Sequence, residues 1–121
     1  APIMQYEFDD DTHLVKGIKA AEFTNRIPLD KSTFRHDAVV MENSAEKVTL
    51  IRRNGKKIVF DIGKVPVLAI WSNATAGRYA CIEAWQGLPD YVDADRELKN
   101  KPMINALPSG KKFVYEVGVT F

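Results

Sequence analysis

The stretch Lys47-Val48-Thr49-Leu50-Ile51-Arg52-Arg53-Asn54-Gly55-Lys56-Lys57-Ile58-Val59-Phe60-Asp61-Ile62 sets two β-branched, apolar runs on either side of Asn54-Gly55. Asn-Gly tolerates the positive φ values of a two-residue type I′ turn, so this segment predicts a β-hairpin. Working outward, Ala38 to Glu42, Val67 to Trp71, Tyr79 to Trp85 and Lys112 to Thr120 are each rich in Val, Ile, Phe, Tyr or Trp. Each is bounded by Gly, Pro, Asn or Ser, and each reads as a strand. Asp93 to Lys99 contains good helix formers but only Leu98 as a sizeable apolar residue. Without an i, i+3, i+4 apolar stripe it reads as a loop with at most one helical turn.

Strands spaced about 10 to 15 residues apart, with a hairpin and almost no helix, predict an all-β fold, an antiparallel β-sandwich or barrel. Pro28, Pro66, Pro89, Pro102 and Pro108 all fall between the strand candidates, where a missing N–H does not interrupt a ladder. The stretch from Gly87 to Gly110 is long for a plain sandwich connection, and such irregular segments beside a strand end often form binding loops.

The 121 residues suffice for one domain, residues 1–121, with a core that needs no disulfide or metal staple. Hydrophobic residues at 45% and charged residues at 27% are ordinary for a globular chain and argue against disorder. Lys and Arg total 17 against 16 Asp and Glu, leaving a net charge of +1 and no field to hold a polyanion. Neither nucleic acid nor a membrane is an expected partner. The single cysteine, Cys81, has no internal partner for a disulfide, which favours a reducing, cytoplasmic setting. No apolar run approaches the ~20 residues needed to span a bilayer. No phosphate-binding loop, dinucleotide fingerprint, nucleophile elbow or zinc-binding helix is present, so no cofactor is expected.

Alternation along Tyr79 to Trp85 puts Tyr79, Cys81, Glu83 and Trp85 on one face of a strand and Ala80, Ile82 and Ala84 on the other. A carboxylate among aromatic rings is partly desolvated, which suits a general base. Rings beside an acceptor also suit sugars, whose C–H faces stack while their hydroxyls hydrogen-bond. Glu83 is therefore the first catalytic candidate; the plain alternative is a solvent-facing glutamate with aromatic cross-strand neighbours. Phe34-Arg35-His36-Asp37 gathers a cation, an imidazole and a carboxylate ahead of a strand. Arg35 and Asp37 are candidates for binding a polyhydroxy ligand, or else form a polar turn capped by Asp37. Trp71, at the end of its strand, is a stacking platform or a core-rim residue. His13, after Asp9, Asp10 and Asp11, has no second His or Cys at ligand spacing, so no metal site is expected. Cys81 reads as a small strand hydrophobe.

Asn25-Arg26-Ile27-Pro28-Leu29, Phe34-Arg35-His36-Asp37-Ala38-Val39-Val40 and Cys81-Ile82-Glu83-Ala84-Trp85-Gln86-Gly87 together resemble the aldose 1-epimerase family, within it the LacX-like bacterial branch. The resemblance runs from about Ile27 to Phe121 and takes in Val67 to Ser72, Lys101 and Leu107-Pro108-Ser109-Gly110-Lys111-Lys112-Phe113. It implies a galactose mutarotase-like supersandwich that interconverts the α and β anomers of a hexose. In that family a glutamate at the position of Glu83 takes the proton of the anomeric hydroxyl, while a histidine protonates the ring oxygen. A family aspartate that binds sugar hydroxyls matches Asp37, or Arg35 if the alignment slides.

Two departures stand out. Ala84 replaces a frequent family proline, on the face away from Glu83. Family members are also usually more than twice as long, and this chain corresponds to their C-terminal portion. The acid histidine would then lie in the missing N-terminal half, since neither His13 nor His36 matches its motif. Half a sandwich leaves strand edges and apolar surface uncovered, so the chain is expected to need that half, another copy or a partner chain. Two further readings remain: a non-catalytic carbohydrate-binding module or sugar sensor, and a structural β-domain for protein association.

Overall fold

The computed structural model describes residues 2–73 and 79–121. Eight strands occur among the described residues: β1 (Met4–Phe8), β2 (Val15–Ala20), β3 (Val39–Glu42), β4 (Lys47–Ile51), β5 (Lys57–Asp61), β6 (Val67–Trp71), β7 (Cys81–Trp85) and β8 (Gly118–Thr120). They form a five-stranded sheet in the order β2-β1-β3-β6-β7 and a three-stranded sheet in the order β4-β5-β8. Every strand pairing is antiparallel.

The hairpin lies where the sequence places it, from β4 to β5, with Ile51 opposite Lys57. Its turn differs from the expected one. Arg52 N–H donates to the Lys56 carbonyl at 2.8 Å and Gly55 N–H to the Arg52 carbonyl at 2.9 Å, while Gly55 alone in the turn has positive φ, at 81°. This is a three-residue connection that ends in a left-handed glycine, which matches the strand twist as a type I′ turn would. Asn54 keeps ordinary φ and uses its side-chain Oδ1 to accept the Lys56 N–H at 3.0 Å.

Other strand limits also shift. Tyr79 and Ala80 precede β7 rather than belonging to it, and of Lys112 to Thr120 only Gly118–Thr120 pairs, against Val59–Asp61 of β5. Two strands that residue pattern did not single out, β1 and β2, pair with each other across a register shift at Glu7/Phe8. The stretch from Gly87 to Gly110 contains one short 3-10 turn, Leu98–Asn100, and an isolated parallel bridge from Tyr91 to Val15.

The five-stranded sheet is covered on both faces. On one, Val39, Met41, Leu68 and Ile70 meet Phe34, Ile62 and Val65, with Val48 and Phe60 of the smaller sheet packed against them. On the other, Tyr6, Val40, Val67 and Ala69 meet Val15 and Leu88, with Trp85 and Tyr91 alongside. The all-apolar run Val67-Leu68-Ala69-Ile70 is what two-sided burial requires, because both sets of alternating side chains enter a core. No helix among the described residues is long and apolar enough to cross a membrane.

Candidate functional site

Strand β7 lies at the edge of the five-stranded sheet among the described residues, and its register fixes which side chains share the face of Glu83. Cys81 pairs with Trp71, Glu83 with Ala69 and Trp85 with Val67. Alternation puts Cys81, Glu83 and Trp85 on one side, as the sequence predicts, and Trp71 joins them because directly opposite residues share a face. The row continues from Ala69 to Val40 of β3, and Tyr6 of β1 joins it because Gln5 pairs with Met41.

Glu83 is partly buried, and its Oε2 accepts a hydrogen bond from Trp85 Nε1–H at 2.9 Å. Trp85 is thus more than an apolar platform: its N–H contacts the carboxylate directly. Trp71 packs its ring against Tyr79 with centroids 5.8 Å apart and planes inclined at 56°. Tyr79, although outside the strand, is held there by its carbonyl, which accepts from Ser72 Oγ at 2.6 Å. Cys81 is a free, partly buried thiol.

The Phe34–Asp37 segment is a turn anchored by Phe34, which is buried in the core while its carbonyl accepts the Asp37 N–H at 3.1 Å. Asp37 has φ of 75° and is exposed. Arg35 donates from Nη1 to the Ser32 carbonyl at 2.9 Å, so its guanidinium is engaged with its own turn. The pairing of Val39 with Ile70, and of Ile70 with Ile82, places this turn at the same end of the sheet as Trp71 and Cys81. Asp30 caps the start of the turn; a hydrogen bond from the Ser32 hydroxyl, then one from the Thr33 backbone N–H, holds its carboxyl below the usual range.

Three residues that sequence patterning did not select shape the same face. Leu88 and Tyr91 lie over Val40, Val67 and Ala69, on a segment pinned to the start of β2 by Val15 N–H to the Asp90 carbonyl and Val92 N–H to the Val15 carbonyl, both 2.9 Å. Lys101 braces that segment with an ion pair to Asp90 at 3.1 Å. Tyr6 is buried beneath it, and burial first, then Glu42 and Tyr91, push its phenol up to about 12. Nothing in the local sequence marks these contacts, because they join segments distant along the chain. One surface concavity, of about 390 Å³, is lined by Asp90, Tyr91, Asp95, Arg96 and Lys101 among others; another lies by Asn43 and Pro66. Glu83 lines neither of these two concavities; it stands partly buried on the sheet face that also carries Trp71 and Trp85.

No family model matches the chain, and no curated protein matches it. Among solved structures it is similar to the galactose mutarotase related enzyme of Lactobacillus acidophilus, with a TM-score of 0.86 and 27% identity, over 99% of this chain and 41% of that one. The fold is galactose mutarotase-like. The structural match and the sequence motifs around Glu83 thus point to the same mutarotase-like family. This chain spans less than half the length of that galactose mutarotase related enzyme.

Proposed function

We propose that this chain carries the base-bearing part of a mutarotase-like isomerase acting on a hexose, with Glu83 as general base. The observation that carries this reading is a partly buried glutamate on a sheet face with two tryptophans, one oxygen held by an indole N–H, in a galactose mutarotase-like fold. In the reaction, the carboxylate of Glu83 takes the proton from the anomeric O–H. The O–H bonding pair becomes the new C1=O1 bond, and the C1–O5 pair leaves with O5, which takes a proton from an acid. Rotation about C1–C2 and reclosure deliver the other anomer, with no net change in atoms or electrons. A carboxylate and an acid on opposite sides of the hemiacetal are all the chemistry requires.

The acid and further sugar ligands are assigned to polypeptide outside residues 1–121, with this chain acting as the C-terminal part of a larger domain. Coverage of 41% of the similar enzyme supports this, as do Phe113, Val114 and Phe121, which are 57%, 77% and 94% exposed. Apolar side chains that open to solvent are suited to a covering partner. Trp71 and Trp85 would stack on the sugar face and near the carboxylate, and Asp37 or Arg35 would meet hydroxyls at the sheet end. The lone Cys81 suits a reducing cytoplasm.

Polarimetry of freshly dissolved α-glucose or α-galactose tests the reading. The intact protein, including the polypeptide that supplies the acid, is expected to accelerate mutarotation, and Glu83→Gln to abolish the acceleration; equal rates with and without the substitution overturn it. The second reading, a sugar-binding module without turnover, is favoured by the Trp71–Tyr79 ring pair at the sheet end. It predicts a sugar-dependent change in tryptophan fluorescence while mutarotation stays at the solvent rate.

A further inference from the structure

Resting on Glu83 as the base, we infer that Trp85 is a positioning residue that fixes the Glu83 carboxylate through its indole N–H, so that Oε2 is occupied and Oε1 is presented to substrate. Three observations support this. Side chains two residues apart on one strand face have bases about 6.6 Å apart, so the 2.9 Å contact from Nε1 to Oε2 needs both to lean toward each other along β7. The indole is not free to swing: it packs against the cluster of Tyr6, Val15, Val40, Val67, Ala69 and Leu88, opposite fully buried Val67. The glutamate, by contrast, has three rotatable side-chain bonds, and the residue directly opposite it, Ala69, contributes only a methyl group. A rigid donor facing a flexible acceptor determines where the acceptor sits, and a base must be held in place before its proton affinity can be used.

A neutral N–H suits the task. It engages one oxygen without an ion pair, leaving the second oxygen's lone pairs for the anomeric proton. Trp85 thereby acts through Glu83, which distinguishes it from a ring that merely stacks on sugar.

The experiment compares the natural protein with Trp85→Phe, which keeps a ring and removes the donor, and with benzothienylalanine at position 85, which replaces the N–H by sulfur at nearly constant shape. Positioning predicts that kcat falls about 10- to 100-fold in both variants while KM stays within about twofold. It also predicts that the Trp85 Nε1–H proton resonance moves upfield in Glu83→Ala. A raised KM with unchanged kcat means that Trp85 serves substrate binding alone and overturns the inference. So does unchanged kcat with only a lower melting temperature, or an indole resonance indifferent to Glu83→Ala. If Trp85→Phe fails to fold, the near-isosteric variant decides. Glu83→Gln, run in parallel, separates the two claims: full activity there removes the base itself, whereas loss of activity there with unaltered Trp85 variants removes only the positioning role.

Discussion

Ala69 stands directly opposite Glu83 across the β6–β7 ladder, and it is fully buried while the glutamate is only partly so. The cross-strand neighbour of the carboxylate therefore contributes one methyl group. A larger side chain would push into Val40 and Leu88 in the same cluster or displace Glu83 from Trp85.

Ala69→Leu is accordingly expected to cost about 1–3 kcal/mol through overpacking, read as a lower melting temperature. Displacement of Glu83 would also change the fluorescence of Trp85. A variant as stable as the parent, with an unchanged emission spectrum, would mean that the face has room that its burial denies.

Gly55 adopts φ of 81°, and a methyl group on its α-carbon would meet no atom within 4 Å, so only backbone strain opposes a side chain there. Gly55→Ala should destabilise by about 1–2 kcal/mol, with Gly55→Asn losing less because asparagine tolerates the left-handed region. Chemical denaturation of both variants checks this; equal stability for alanine and glycine would contradict the turn geometry.

Ile62 is 1% exposed between the two sheets, and its carbonyl accepts from the Tyr115 hydroxyl at 2.6 Å. Ile62→Ala should lose about 2–5 kcal/mol, the usual range for emptying such a site. Tyr115→Phe removes only the hydrogen bond and should lose about 1 kcal/mol. Denaturation midpoints that rank the two variants in the opposite order would refute this account of the contact between the sheets.

The Tyr6 phenol is neutral when protonated, and in the fold its pKa is raised from 10.0 to about 12 by burial, with Glu42 and Tyr91 adding to the effect. The stability it contributes is complete below pH about 10 and is lost as pH rises from there toward 12, at up to about 1.4 kcal/mol per pH unit. Stability measured against pH should decline less steeply in Tyr6→Phe than in the parent across that window. Parallel declines would show that Tyr6 does not carry the effect.

The hairpin was legible because its signal is local: Arg53-Asn54-Gly55 and the β-branched runs beside it lie within one short window, even though the turn contains one more residue than Asn-Gly alone implies. The face shared by Cys81, Glu83 and Trp85 was legible for the same reason, since period-two alternation needs no partner, whereas the place of Trp71 beside them came from the β6–β7 register. Met4–Phe8 and Val15–Ala20 were not, because Tyr6 and Val15 are their only buried side chains and Lys16, Gly17 and Lys19 dilute the pattern. Lys112 to Val117 shows the converse: it is rich in strand formers, yet only Gly118–Thr120 finds a ladder, beside β5. Propensity proposes a strand and a neighbour with free N–H and C=O groups completes it.

Sequence alone determined the β class, the Asn54-Gly55 hairpin and the company Glu83 keeps on its strand, because each depends on backbone preferences and spacing within a few residues. Tertiary structure decided the order β2-β1-β3-β6-β7, the cover of Leu88 and Tyr91 over Ala69, and the hydrogen bond from Trp85 to Glu83. These depend on which distant segments close on one another and on the rotamers that packing then allows, and the sequence of a single strand contains neither.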